Sequence, residues 1–313
     1  MFAMHDIIYY NDNNKLNIVN ANHQVKSLYD IYGFPVKFIN GDIWCGDLNK
    51  HKNYTKLYTL TNLTREKSYK LSFPQHHDYT IRGNMIAYIG RERYKDLLDD
   101  VVEVISGNAR KVFRMRDYMN VFEVDNHALN VIKEKGVSCE GGNIDWCHLN
   151  SIEFISDNEL LLSSRQLSTI FVLNIDTGKI EWRCSALRDG SLLMGQHAPT
   201  LLSNGNILLF DNGGISGKYC NLQRDYSRIL EINPNDNSTT VEIRCDNYSP
   251  FMSNVVKVND GYVVLFGTLG LIQKFDFNGN VVWEHQVVDS NGNNKGIYRI
   301  GVLSNEEYEE AIL

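Results

Sequence analysis

The sequence predicts an all-β fold, because strand signals dominate it and helical periodicity is nearly absent. Short runs rich in Val, Ile, Leu, Phe and Tyr recur about every 8 to 12 residues, bounded by Asn, Asp and Gly. Helical turns are predicted only at residues 94–98 and at the acidic end, residues 305–312. Neither segment is long enough to cover a parallel sheet.

A histidine motif is repeated three times and gives the strands their order. Each copy has a histidine, two spacer residues, a hydroxyl residue and a branched aliphatic residue, and then continues through a polar turn into an apolar strand. The copies begin at His77, His148 and His197. Repeat folds bring equivalent positions to equivalent places. In a closed ring, we therefore expect the three imidazoles to converge on the axis.

Repeated hairpins, two of which end in a tryptophan, predict how each unit ends. Residues 171–182 and 272–283 both have an alternating strand, a turn with Asp and Gly, a second alternating strand and a Trp, and residues 229–244 form a third copy with a longer turn. A unit thus has four strands. Four strands in roughly 40 to 50 residues are typical of a propeller blade.

The number of such units predicts a six-bladed β-propeller. An insertion is expected at residues 121–139, and a further unit begins near Ser253, which takes the place of the histidine. Pairing the first and last strands in one blade would remove exposed sheet edges. A β-sandwich and a large open barrel also use many short hairpins and remain alternatives.

Length and composition predict one propeller domain over residues 1–313. Residues 1–70 form the first blades, residues 71–303 carry the motifs, and residues 304–313 form an acidic tail. The hydrophobic content of 43% is enough for a large core.

Charge and local composition exclude several classes of partner. The net charge of -7 argues against nucleic-acid binding, and no run reaches the roughly 18 apolar residues of a membrane span. The first residues show no secretion signal, and the six cysteines include no CxxC pair. We interpret the cysteines as reduced thiols. We expect a cytoplasmic protein, or an exported one if a leader has been removed.

Five short motifs occur in a fixed order between about residues 70 and 300. They are Asp145-Trp146-Cys147-His148-Leu149-Asn150-Ser151-Ile152, Ser163-Ser164-Arg165, Gly195-Gln196-His197-Ala198-Pro199-Thr200, Phe210-Asp211-Asn212-Gly213 and Tyr226-Ser227-Arg228. In order and local spacing, this stretch resembles the bacterial arylsulfate sulfotransferase family. The region before residue 70 matches that family weakly.

The resemblance implies a six-bladed propeller that moves a sulfuryl group from an aryl sulfate donor to a phenolic acceptor. It implies a sulfated histidine as intermediate, and neither the nucleotide donor PAPS nor another cofactor. By this resemblance, His197 takes the position of the nucleophile, while His148 and Arg165 grip the sulfate. His77 takes the remaining histidine position, because its Thr80 and Ile81 follow the internal repeat.

Three further residues are predicted to bind substrate. His76 precedes His77 and competes with it for the place that faces the site. Asn150 lies in the motif of His148 and resembles an auxiliary donor, and Arg228 is expected in a network near the axis. Members of the family can pair, so a homodimer also fits the sequence.

These residue types suit sulfuryl transfer. The transferred group spreads negative charge over three oxygens, which need donors that are fixed in advance. Arg165 offers a permanently charged planar fork, and neutral His197 offers a lone pair. Protonated His77 or His148 could donate to the departing phenolate. A covalent intermediate predicts ping-pong kinetics.

Two other functions remain open from the residues alone. Three histidines with an open position could hold a divalent metal ion in a propeller lyase, although an adjacent arginine would repel the ion. The chain could also be a non-catalytic propeller that binds an anion, since a fold does not determine a function. We assign no residue as a metal ligand at this stage.

Overall fold

The structure is a computed structural model that describes residues 7–12, 15–30, 35–46, 59–135, 139–140, 143–185, 193–214 and 224–312. The predicted all-β fold is confirmed. Six sheets of four or more strands form the six blades of a β-propeller. The chain divides into two compact units, one of Met1–Leu71 with Met252–Leu313 and one of Ser72–Phe251. Each unit contains three of the sheets.

The strands and helices have the following bounds. In chain order the strands are β1 (Ile7–Asn11), β2 (Lys15–Val19), β3 (Val25–Asp30), β4 (Val36–Ile39), β5 (Asp42–Gly46), β6 (Thr59–Asn62), β7 (Lys67–Lys70), β8 (Gln75–Arg82), β9 (Met85–Tyr94), β10 (Leu97–Ser106), β11 (Ala109–Arg114), β12 (Cys139–Glu140), β13 (Asn143–Asp145), β14 (Leu149–Phe154), β15 (Glu159–Ser164), β16 (Thr169–Asn174), β17 (Ile180–Ser185), β18 (His197–Leu201), β19 (Ile207–Asp211), β20 (Arg228–Asn233), β21 (Ser238–Arg244), β22 (Asn254–Val258), β23 (Gly261–Phe266), β24 (Leu271–Phe275), β25 (Val281–Gln286) and β26 (Ile300–Leu303). The helices are a 3₁₀ helix at Met115–Tyr118, α1 (Asn126–Lys135) and α2 (Asn305–Ile312).

The first unit closes one blade with strands from both ends of the sequence. Its sheets have the orders β26-β1-β2-β3, β4-β5-β6-β7 and β22-β23-β24-β25. Strand β1 pairs antiparallel with β26, as predicted. Successive side chains of β1 alternate between two cores, because a strand points them to opposite faces: Ile8 and Tyr10 pack in one core, and Ile7 and Tyr9 pack in the other.

The second unit contains the motif-bearing blades. Its sheets have the orders β12-β13-β10-β9-β8 with β11 on the far side of β10, β14-β15-β16-β17 and β18-β19-β20-β21. The insertion expected at residues 121–139 includes helix α1, which the sequence did not predict. Helix α2 is confirmed.

The prediction of a helical turn at residues 94–98 is wrong. The chain makes a tight hairpin there, in which Tyr94 at the end of β9 pairs with Leu97 at the start of β10. Lys95 has a positive φ of 56°, as two-residue hairpin turns require.

The three predicted hairpins are confirmed as β16 with β17, β20 with β21, and β24 with β25. Trp182 of β17 donates its indole N–H to Asn237 of the neighbouring sheet, at 3.0 Å. Four of the cysteines, Cys45, Cys147, Cys184 and Cys245, are buried thiols. No helix in the described part combines the length and apolar character of a membrane span.

Candidate active site

Irregular backbone at the start of three neighbouring strands positions the repeated histidines. The pairing registers shift between Gln75 and Tyr79 in β8, within β14, and again in β18, which begins at His197. His77 and His148 have positive φ angles of 62° and 51°. Such bulges and strained backbone angles re-aim side chains and are common at functional sites. All three strands belong to the second unit.

His76, His77 and His148 form one cluster. The Nε2 atoms of His77 and His148 are 2.9 Å apart, and their ring centroids are 4.8 Å apart. The His76 ring lies 3.8 Å from that of His77 and 5.2 Å from that of His148, centroid to centroid. The sequence did not decide whether His76 or His77 faces the site. In the structure, both side chains belong to the cluster.

Two buried carboxylates and an arginine lie behind the cluster. Nδ1 of His148 is 2.5 Å from Oδ2 of Asp145. Arg91 donates to Asp145 at 3.1 Å and to Asp100 at 3.2 Å. Nδ1 of His76 is 3.5 Å from Oδ1 of Asp100. The histidines are therefore backed by an alternating chain of anionic and cationic groups.

Burial and these neighbours shift the pKa values. Burial lowers the pKa of His76 to about 4, with Arg91 adding to the effect. Burial, and then His76 and His148, hold the pKa of His77 well below its usual range. Burial alone would raise the pKa of Asp145, but His148 and Arg91 hold it below its usual range. Near pH 7, His76 and His77 are thus neutral and Asp145 is ionised.

His197 has a defined tautomer. Its side chain is buried, and its Nδ1 lies 2.8 Å from Oδ1 of Asn212 and 3.0 Å from the carbonyl oxygen of Gly195. Asn212 donates its Nδ2 to the carbonyl oxygen of Ser249 at 2.8 Å, which turns its Oδ1 toward His197. Both neighbours of Nδ1 are acceptors, so Nδ1 carries the proton. The lone pair of the neutral ring is therefore on Nε2.

Arg165 lies between the segments that carry the two predicted catalytic histidines. It follows β15, and its backbone N–H donates to the carbonyl oxygen of His148 at 3.0 Å. Its Cγ would be 3.9 Å from a Cβ placed on Gly195. The side chain is 5% exposed. Burial lowers the pKa of the guanidinium, while the Asp145 carboxylate acts in the opposite direction. A buried cation of this kind favours an anionic ligand.

The other two predicted binding residues have protein contacts. Asn150 is buried and donates its Nδ2 to the carbonyl oxygen of Gln196 at 2.8 Å, so it holds the segment next to His197. Arg228 donates to Asp211 at 2.9 Å and to Glu242 at 2.8 Å. The structure thus brings His76, His77, His148 and Arg165 into one neighbourhood and gives Arg228 two carboxylate partners.

The segment of His197 adjoins this neighbourhood, since Asn150, two residues after His148, donates to the carbonyl oxygen of Gln196. The sequence did not identify Asp145, Arg91, Asp100 or Asn212 as functional residues. Asp145 is three residues before His148, within a motif that already drew attention, and that spacing was its signal. Arg91 and Asp100 are directly opposite each other across β9 and β10, and only the strand register reveals their pairing.

The fold and the site define a β-propeller with a partly buried group of histidines and a buried arginine suited to an anionic group. A family model described as arylsulfotransferase (ASST) matches residues 6–299. The chain therefore belongs to the arylsulfotransferase (ASST) family. A comparison with curated proteins found no match.

Solved structures share the fold at low sequence identity. A chain of a nidogen/laminin complex has a TM-score of 0.55 at 11% identity and covers 96% of this chain and 99% of its own. A protein of unknown function from Bacteroides caccae has a TM-score of 0.59 at 11% identity, with 95% and 98% covered. A streptogramin B lyase has a TM-score of 0.50 at 13% identity, with 91% and 80% covered. At these identities the likeness shows the fold alone.

Proposed function

We propose that the protein transfers a sulfuryl group from an aryl sulfate ester to a phenolic acceptor, without PAPS, through a sulfo-histidine at His197. Family membership supports aryl sulfotransferase activity. The observation that carries the mechanism is the tautomer of His197, whose Nδ1–H faces two acceptors. That tautomer leaves the lone pair of a nucleophile on Nε2.

In the first half-reaction, Nε2 of His197 attacks the sulfur atom of the aryl sulfate. The N–S bond forms while the bond from sulfur to the aryl oxygen breaks, and the electron pair leaves with the phenolate. Arg165 and the histidine cluster stabilise the charge on the three nonbridging oxygens. Asn212 and Gly195 accept from the Nδ1–H of His197 throughout, so they stabilise the charge that the ring acquires.

The pair of His77 and His148 supplies the proton for the leaving phenolate. Asp145 accepts from Nδ1 of His148 and orients that ring. The pair then gives one proton to the phenolate from Nε2 of His148, directly or through His77, whose Nε2 is 2.9 Å away. In the second half-reaction, the oxygen of a phenolic acceptor attacks the sulfur of sulfo-His197 and its proton returns to this pair. The O–S bond forms while the N–S bond breaks, and the electron pair returns to Nε2 of His197.

The test is to trap the intermediate. Brief exposure of the protein to 4-nitrophenyl sulfate should release a burst of nitrophenolate and add one sulfuryl group to the peptide that contains residues 196–200. His197→Ala should abolish both signals. His127→Ala, at an exposed position of α1, is the matched control and should retain them.

Two results would contradict the mechanism. One is turnover in His197→Ala at the rate of the unaltered protein; the other is turnover without sulfation of His197 in rapid-quench samples. Retained binding of sulfate with no turnover across several acceptors would instead favour the non-catalytic anion-binding function. The cytoplasmic location and the homodimer stay predictions from the sequence.

A further inference from the structure

The cluster of His76, His77 and His148 has the dimensions of a metal site. One ring nitrogen from each residue lies within 4.8 Å of the other two, and the Nε2 atoms of His77 and His148 are 2.9 Å apart. Zinc binds histidine nitrogen at about 2.0–2.1 Å, so two nitrogens on a tetrahedral ion are roughly 3.3 Å apart. Small ring rotations would bring all three nitrogens onto one ion.

Two carboxylates lie near the second ring nitrogen of His148 and of His76. A metal-bound histidine commonly donates its second ring N–H to a carboxylate, which fixes the ring and strengthens the ligand. Asp145 lies 2.5 Å from Nδ1 of His148. Asp100 lies 3.5 Å from Nδ1 of His76, which makes no hydrogen bond at that distance. Both contacts use Nδ1, so Nε2 is the ligand atom that we assign to each of these two residues.

The local charges permit a cation at this position. Arg91 would repel an ion by itself, but it pairs with both Asp100 and Asp145. The Asp145 carboxylate also acts electrostatically on Arg165. The objection that an arginine excludes a metal applies to a lone arginine and not to one that is paired with two carboxylates.

We infer that His76, His77 and His148 bind one divalent transition-metal ion of the zinc type, with a fourth position open to solvent or to an anion. An all-nitrogen ligand set selects ions such as Zn²⁺, Co²⁺ or Cu²⁺ over Mg²⁺ or Ca²⁺, which prefer oxygen. His197 lies outside this ligand set, because the ring nitrogens that lie within 4.8 Å of one another belong to His76, His77 and His148.

Occupancy of the site should inhibit sulfuryl transfer. The ion would take the Nε2 lone pairs of His77 and His148, and these are the atoms that move the proton of the phenol. This consequence rests on the proposed function, whereas metal binding itself does not. The two are separated by measuring binding without substrate.

The binding experiment uses the full chain after removal of metal by mild chelation. Titration with Co²⁺ should give a saturable visible absorption at one ion per chain, which Zn²⁺ displaces. His76→Gln and His148→Gln should each weaken Co²⁺ binding at least tenfold, while His127→Ala should leave it unchanged. Thermal unfolding of each variant in the absence of metal shows whether the fold is retained.

The outcomes distinguish the two proposals. His197→Ala should keep Co²⁺ affinity within about twofold while sulfation is lost, and Zn²⁺ should inhibit turnover of the unaltered protein reversibly. Absence of a saturable Co²⁺ signal, or equal affinity in folded His76→Gln and His148→Gln, overturns the metal site whatever the activity. Metal binding at one ion per chain in a protein that never forms sulfo-histidine would overturn only the proposed function.

Discussion

Replacement of Asn212 by Ala is expected to slow the sulfation of His197 without weakening the binding of the aryl sulfate. The side chain of Asn212 supplies one of the two acceptors for Nδ1–H of His197, at 2.8 Å, while the carbonyl oxygen of Gly195 supplies the other at 3.0 Å. Loss of one neutral hydrogen bond amounts to about 1 kcal/mol, and 1.4 kcal/mol is about tenfold in rate. We therefore expect sulfation to be roughly five- to tenfold slower.

The retained contact with Gly195 sets the upper limit of this effect. Complete loss of the correct tautomer costs on the order of 10⁴ in kcat in a catalytic triad. Here the backbone carbonyl still accepts from Nδ1 after the substitution, so that extreme is not expected. The affinity for the aryl sulfate should be unchanged, because the Asn212 side chain contacts Nδ1 of His197, which is not the ring nitrogen that attacks the sulfur.

Asn212→Asp is the matched variant. Both substitutions remove the donation from Nδ2 to the carbonyl oxygen of Ser249, so both should lower the free energy of unfolding by about 1–3 kcal/mol. The carboxylate also carries a cost of burial, which makes Asp the less stable of the two. Only Asp keeps an oxygen that can accept from Nδ1 of His197. The order of stability and the order of sulfation rate should therefore be opposite.

The assay is a stopped-flow measurement of the nitrophenolate burst, with thermal unfolding of the same samples. Sulfation should be slow in Asn212→Ala and near the original rate in Asn212→Asp. Equal slowing in both variants would mean that stability and not the tautomer controls the rate. An unchanged rate in Asn212→Ala would refute the assignment of the proton to Nδ1.

Two further predictions concern stability. Burial, with the neighbouring Asp100, raises the pKa of Asp99 to about 6. A raised folded-state pKa favours folding at low pH, so the stability advantage of the unaltered protein over Asp99→Asn should fall by about 2 kcal/mol as pH rises from about 4 to 6.5, measured by urea unfolding. Gly270→Ala should destabilise by about 3 kcal/mol or more, because φ is +63° and the new Cβ would lie 2.0 Å from the carbonyl oxygen of Lys295. Gly292→Ala, with φ +81° and nothing within 4 Å of its Cβ, should lose only about 1 kcal/mol, and equal thermal shifts in the two glycine variants would contradict the steric argument.

The repeat made most of the fold predictable. Alternating strands and Gly-containing turns are local signals, and they correctly predicted the outer hairpins and the pairing of β1 with β26. The helix Asn126–Lys135 lies in the insertion, outside the repeat. At residues 94–98, the conformation is set by the pairing of β9 with β10. Helical propensity, which depends only on neighbouring residues, does not predict that pairing.

The residues that tune the site were harder to predict, because their partners are distant in sequence. Arg91 joins Asp100 in the next strand to Asp145, which is 54 positions along the chain. Asn212 meets His197 across a separation of 15 residues. A charged residue in an apolar strand signals that it needs a partner, but it does not say which one. The sequence motifs therefore located the histidines and Arg165 and left their supporting groups unassigned.

The same motif also gives its histidines different chemistry. His77 and His148 have the positive φ themselves, whereas in the third copy the positive φ falls on Ala198, one residue later. The ring of His148 meets the carboxylate of Asp145, while the ring of His197 meets two uncharged acceptors. A one-residue difference in the backbone thus accompanies a carboxylate partner in one copy and two uncharged acceptors in another, which the repeated sequence alone does not express.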